Sequence, residues 1–184
     1  MTRVATTGGL RGTRGVSLIE MLIVMTVIGI LAAISASRLD WVKYRADTVS
    51  RGAYGDLAQA QRTAVSLQMD VRITVDGNST LRIHEDANNN GTVDGGERVI
   101  GSTLDHGFVF GKGEMASLPA PADPTELTVL VFRRDGSASR SGTFYISSPL
   151  SDPDCKYCRA VTVTRATGRP SWYSFVTGTW VRRN

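Results

Sequence analysis

Hydrophobic and polar positions alternate along this chain with three different periods. From Val16 to Ser37 the only charged residue is Glu20. Those 22 residues would make a helix of ~33 Å, enough to cross a bilayer core. From Leu39 the apolar residues recur every three or four positions: Val42, Ala46, Val49, Ala53, Leu57, Ala60, Ala64 and Leu67. That spacing predicts one apolar helical face, with Arg38, Lys43, Arg45, Asp47 and Arg51 off it. Gly52 and Gly55 weaken this helix and suggest a bend or close packing. The pattern predicts a single spine helix from about Val16 to Met69, half in lipid and half carrying a domain.

From Val71 the period changes to two. Val71 to Val75 and Leu81 to Ile83 flank Asp76-Gly77-Asn78, which reads as a β-hairpin. Further strands are expected at 98–100, 107–110, 127–133, 143–147, 160–164 and 172–177, with a hairpin-like turn at Asp135-Gly136. The proline-rich stretch from Leu118 to Pro124 reads as a stiff connector. The predicted architecture is α+β, a long N-terminal hydrophobic helix packed on antiparallel β-sheets. Its segments are a leader at 1–15, a membrane part at 16–37, an amphipathic part at 38–70 and a β-rich domain at 71–184.

Charge sharpens the N-terminal reading. Arg3, Arg11 and Arg14 precede the apolar run and no acidic residue occurs before Val16. This bias places the N-terminus in the cytoplasm and the domain outside. A cleaved secretory signal is the alternative, because Ala33-Ile34-Ser35 and Ile34-Ser35-Ala36 resemble small-residue cleavage sites. The length of the apolar run and the carboxylate near its start weigh against it. An ionised Glu in hydrocarbon costs roughly 2.5–3.5 kcal/mol on insertion scales and needs a partner. The formal net charge is +4. About +1 remains once the three leader arginines are removed, which argues little for nucleic-acid binding.

Gly15 followed by Val16-Ser17-Leu18-Ile19-Glu20-Met21-Leu22 resembles the prepilin motif of type IV pilins and type II secretion pseudopilins. Phe132 to Ser137, Gly142-Thr143-Phe144 and Thr167-Gly168-Arg169 resemble segments of the H-type pseudopilin and FimT-like minor pilin family. The resemblance implies that a prepilin peptidase cuts between Gly15 and Val16. It implies N-methylation of Val16, where the family usually has Phe, and assembly from an inner-membrane platform with other (pseudo)pilin subunits. Glu20 would pair with the new N-terminal ammonium of a neighbour, giving a heterologous contact that builds an open filament. The expected function is a minor pseudopilin of the type II secretion pseudopilus, in the bacterial inner membrane with a periplasmic domain. The alternative is a FimT-like minor type IV pilin serving pilus assembly or DNA uptake.

Three features of the exported part carry chemistry. Asp86 to Glu97 matches a twelve-residue calcium loop, with Asp86, Asn88, Asn90, Asp94 and Glu97 as side-chain ligands and Thr92 lending its carbonyl. Its strand-like flanks differ from the helices of an EF-hand, and an Asn/Gly-rich turn bonding its own backbone is the alternative. Calcium is the only cofactor expected. Cys155 and Cys158 suit a disulfide after export, with free thiols as the alternative. A zinc site would need two more ligands, and His84 and His106 are the only candidates. Arg165 and Arg169, with Arg159, Trp172 and Tyr173 nearby, form a basic and aromatic region. Some FimT-like relatives bind DNA through Gly-Arg-x-Arg, and here Gly168-Arg169-Pro170-Ser171 lacks the second Arg; Arg182 and Arg183 are the available substitutes. A solvated strand face is the simpler reading. No catalytic constellation is visible, so the chain reads as a structural subunit and not as an enzyme.

Overall fold

The computed structural model describes residues 15–36, 40–113, 115 and 118–183. The chain divides into two compact units between Asp40 and Trp41. The first contains α1 (Leu18–Ala36). The second contains α2 (Trp41–Leu67) and, among the described residues, nine strands. The leader arginines and the stretch 37–39 lie outside the described residues. Asp40 is not helical, so the expected unbroken helix from Val16 to Met69 is corrected to two described helices. Asp40 occupies the position just before α2, a place in sequence where Asp is favoured over most residues.

α2 buries Ala46, Val49, Ser50, Ala53, Leu57, Ala60 and Ala64, the predicted stripe from Ala46 onward. Most of these are alanines, so the helix backbone lies close to the sheets. Leu67 is exposed and falls outside the stripe. Gly52 and Gly55 are also exposed, with nothing within 4 Å of an added Cβ, so neither serves the close packing expected of it. The helix stops at Gln68, which takes a left-handed φ of 55°. Met69 N–H then reaches back to the Ala64 carbonyl (3.2 Å), a C-terminal closure more usual at glycine.

Two antiparallel sheets follow. The first has β1 (Asp70–Asp76), β2 (Thr80–Asp86), β3 (Arg98–Thr103) and β5 (Val129–Phe132), in the order β3-β2-β1-β5. The second has β4 (Val109–Phe110), β6 (Gly142–Ser147), β7 (Arg159–Val163), β8 (Pro170–Val176) and β9 (Thr179–Arg183), in the order β4-β6-β7-β8-β9. The predicted hairpin of β1 and β2 forms with Val71 opposite Glu85 and Val75 opposite Leu81. β9 was not expected. Thr177 and Gly178 both take positive φ (47° and 84°), the pair of values a tight hairpin turn needs, and they fold it back on β8.

One core lies between α2 and the sheets, built from residues such as Leu57, Ile73, Leu130, Phe132, Phe144, Val161 and Trp172. Each such side chain contributes roughly 1.5–3 kcal/mol when buried. A second cluster holds Met115, Tyr145, Cys155, Cys158, Ala160 and Phe175; with Val161 and Val163 in the first core and Ala160 in the second, all five residues of β7 are buried. Arg159 is only 1% exposed. Its Nε donates to Asp47 Oδ1 of α2 at 2.7 Å, and its Nη1 donates to the carbonyls of Lys156 and Cys158. Arg159 is thus a strap between sheet and helix and not part of a solvated basic face. Removing one partner of a fully buried pair costs roughly 3–5 kcal/mol; with Asp47 part-exposed, this pair belongs at or below that lower bound.

Two of the three segments that carried the family resemblance, 132–137 and 167–169, meet at Gln61 of α2. Its Nε2 donates to the Gly136 carbonyl (3.2 Å) and the Thr167 carbonyl (2.6 Å). Gly168, at φ +59°, sits so close to the Gly136 carbonyl oxygen that a Cβ would overlap it. Gly142 packs under Leu127, where a Cβ would come within 2.6 Å of that side chain. These glycines serve close approach of backbone to backbone and side chain.

Candidate functional site

Gly15 and Val16 are exposed and precede the first helical turn. An added Cβ on Gly15 meets nothing within 4 Å among the described residues. Glu20 lies in the first turn of α1, where a carboxylate also suits the positive end of the helix. The large apolar side chains of α1 from Leu18 to Ile34 are exposed on every side. A helix apolar all round needs lipid or other helices around it. Its 19 residues rise ~28 Å, and the predicted span reached Ser37. Among the described residues, no helix is long and apolar enough to cross a membrane.

The Asp86–Glu97 loop joins β2 to β3 and folds back on itself. Asp86 is buried, and its carboxylate accepts from the N–H groups of Asn90 (3.0 Å) and Gly91 (2.7 Å). Asn88 Oδ1 accepts from Asn90 N–H and Asn90 Oδ1 from Thr92 N–H. The side-chain amides of Asn88 and Asn90 both converge on Asp94 Oδ2 (2.7 and 2.6 Å). Glu97 turns elsewhere. Its Oε2 accepts from Asp94 N–H (2.9 Å) and lies 2.8 Å from His84 Nε2, and its Oε1 accepts from Ala87 N–H (3.0 Å). The Asp94 N–H bond, then the His84 bond, hold the Glu97 carboxyl below its ordinary value. The loop thus links Asn88, Asn90 and Asp94, ties the Asp86 carboxylate to the Asn90 and Gly91 N–H groups, and sets Glu97 against His84. Among the described residues, no group of three or more His, Cys, Asp or Glu is placed to hold a metal ion.

Cys155 and Cys158 are joined in a disulfide, which leaves neither sulfur as a zinc ligand. Asp152 organises this turn by accepting from the N–H groups of Lys156 (2.9 Å) and Tyr157 (2.6 Å). Sequence reasoning missed Asp152; its place three residues before Cys155 in a proline-containing loop was the available signal. Arg165 and Arg169 are exposed on the β7–β8 loop. β9 brings Arg182 and Arg183 opposite Tyr173 and Trp172, near the start of β8. Trp172 is 5% exposed, with the Arg51 guanidinium 4.9 Å from its ring. It belongs to the core and offers no face on which a base could stack.

The family model described as Type II transport protein GspH matches residues 50–167. The prokaryotic N-terminal methylation motif matches residues 10–36. No curated protein matches the chain. Among solved structures, the chain is similar to the minor pseudopilin EpsH from the type 2 secretion system of Vibrio cholerae, at 17% identity over 76% of this chain and 96% of that one, with a TM-score of 0.46. A crystal structure of the same Vibrio cholerae pseudopilin gives 19% identity over 71% and 94%, also at 0.46. The helix that begins at the methylation motif and the domain that the family model spans lead to one conclusion: the chain belongs to the GspH family, as a pseudopilin of the type II secretion system.

Proposed function

We propose that this pseudopilin is cut between Gly15 and Val16, methylated at Val16, and drawn into the pseudopilus by pairing of Glu20 with the N-terminal ammonium of a neighbouring subunit. The observation that carries this is the exposed Glu20 in a helix whose other large side chains are apolar and uncovered. A carboxylate and an ammonium at one depth each remove the cost of the other in a medium hostile to both. Before assembly the precursor sits singly across the bacterial inner membrane, N-terminus in the cytoplasm and β-domain in the periplasm. Its partners there are the prepilin peptidase, the assembly platform and other pseudopilins. The protein acts as a structural subunit, without catalysis of its own.

The test uses the full chain in its secretion-competent host. Mass spectrometry of the purified protein is expected to find methylated Val16 as the first residue. Glu20→Gln is expected to reduce incorporation into the pseudopilus by at least about tenfold while the protein stays in the membrane, because the uncharged side chain cannot neutralise the ammonium. A native N-terminus near Ser37, or normal incorporation of Glu20→Gln, would overturn the reading.

We also propose that the Asp86–Glu97 loop takes calcium. The gathering of Asn88 and Asn90 on Asp94, with the Asp86 carboxylate held against the same turn by the Asn90 and Gly91 N–H groups, supports it. Binding would require Glu97 to exchange its three hydrogen-bond donors for the cation. Calcium would supply charge neutralisation and tie β2 to β3.

A further inference from the structure

Trp41 and Tyr44 are the two most exposed large apolar side chains of the second unit among the described residues, at 60% and 66%. Both stand at the start of α2. Three positions apart on a helix, they are neighbours on one face. At ~100° of rotation per residue, that face lies nearly opposite the buried stripe of Ala46, Val49, Ser50 and Ala53. The core therefore makes no use of either ring. Lys43 and Arg45, also exposed, flank the pair on either side of the helix. Trp and Tyr each combine a large apolar body with a polar tip. That combination suits a boundary with hydrocarbon on one side and water on the other.

The covalent chain decides which boundary is within reach. The apolar run ends at Ser37, four residues before Trp41. Four residues extend at most ~14 Å, and the headgroup layer of one leaflet is roughly 5–8 Å thick. With the run seated in a bilayer, Trp41 is tethered within reach of that layer, and Tyr44 follows within one helical turn. The disulfide loop and the β8–β9 turn meet the start of α2 around a cavity of about 710 Å³, lined by Lys43, Pro119, Pro153, Lys156, Thr177 and Gly178 among others. Asp154 shares that lining, and Asp40 adjoins Trp41 in sequence. Acids thus nearly balance Lys43, Arg45 and Lys156 at this end, so the rings and not the net charge decide what it binds.

We propose that Trp41 and Tyr44 form an interfacial anchor, which holds the β-domain of the unassembled subunit against the phospholipid headgroups of the membrane that receives its apolar run. This rests on the membrane reading of residues 16–37 above. The rings lie at headgroup level, and Lys43 and Arg45 extend their stems along the surface toward the phosphates. Attachment dominated by rings persists at high salt, where a purely electrostatic one is screened. Entry into the pseudopilus withdraws both rings from lipid, so release of this anchor accompanies assembly.

The test uses the full chain in vesicles of phosphatidylethanolamine and phosphatidylglycerol, with part of the lipid brominated near the top of its acyl chains. The chain has three tryptophans. Trp172 is buried and Trp180 donates to the Pro119 carbonyl, so the difference between wild type and Trp41→Phe isolates the Trp41 emission. Brominated lipid is expected to quench that emission at least about twofold, at low and high salt alike. Moving the probe ~20 Å along α2, as Tyr54→Trp in the Trp41→Phe chain, is expected to abolish the quenching. Flotation of the vesicles in alkaline carbonate reports the membrane span separately. A chain that floats while Trp41 stays unquenched overturns the proposal and leaves the membrane reading standing. Trp41 emission that is shielded from water yet unquenched assigns the rings to another subunit and overturns the proposal equally. Equal quenching at positions 41 and 54 overturns it too, because α2 then lies along the surface with no localised anchor. A chain that fails to float overturns both readings.

Discussion

Glu97 illustrates how one carboxylate can organise a loop without touching a cation. It takes hydrogen bonds from Asp94 N–H, Ala87 N–H and the His84 ring, and these donors lower its affinity for a proton from the ordinary value of 4.5. A depressed carboxyl contributes stability that is fully present above its unfolded value and is lost as pH falls through its folded value. Glu97→Gln should therefore lower the melting temperature at neutral pH. The gap from wild type should hold down to about pH 4.5 and close at lower pH, where both side chains are neutral. Melting curves across that range check it, and a gap that persists unchanged at pH 2 would mean that lost packing and not lost charge is responsible. Glu20 is the opposite case, an acid whose proposed partner lies outside its own chain.

At the level of elements, the glycines separate into two kinds. Gly168 links the β7–β8 loop to the Asp135-Gly136 turn, with Gln61 of α2 holding both carbonyls. Gly168→Ala meets both a left-handed φ and overlap with the Gly136 carbonyl, and should cost about 3 kcal/mol or more, a fall in Tm on the order of 10 °C. Gly52 lies on the open side of α2 with nothing near an added Cβ. Gly52→Ala should instead raise stability by about 0.5–1 kcal/mol through helix propensity. Thermal melting of the two variants side by side checks the contrast. A neutral Gly168→Ala would mean the turn and the loop do not bear on one another. The same element-scale reasoning explains β9: a hairpin strand held by backbone pairing to β8 needs little apolar patterning of its own, and its five residues are largely exposed.

At the scale of the whole molecule, the two units have opposite needs. The unit from Trp41 onward closes its own core with α2, two sheets and a disulfide. The described helix of the unit before it leaves its apolar side chains exposed, a need that the proposed assembly would meet. Calcium binding would act on the closed unit. For a folded-state ligand at a hundredfold excess over its Kd, the gain is about 2.7 kcal/mol, or roughly 10 °C in Tm for a domain of this size. Calcium should therefore raise the melting temperature of the full chain in detergent, and Asp94→Asn should abolish most of the rise. Identical curves in calcium and in chelator would remove calcium from the account.

The sequence by itself determined the features that depend on local periodicity or on a linear signal. The apolar run with Glu20, the alanine stripe of α2 and the β1–β2 hairpin were all legible, because helix and strand periods and turn residues act over a few neighbours. The twelve-residue spacing from Asp86 to Glu97 was legible as a pattern, but not the direction in which Glu97 points. Tertiary structure alone decided that, because His84 reaches Glu97 only once β2 and β3 are paired. It also decided that Arg159 is buried against Asp47 and that Trp172 belongs to the core. Pairings across 112 residues leave no periodic trace, and a charged or aromatic side chain reads the same in sequence whether it faces water or a partner.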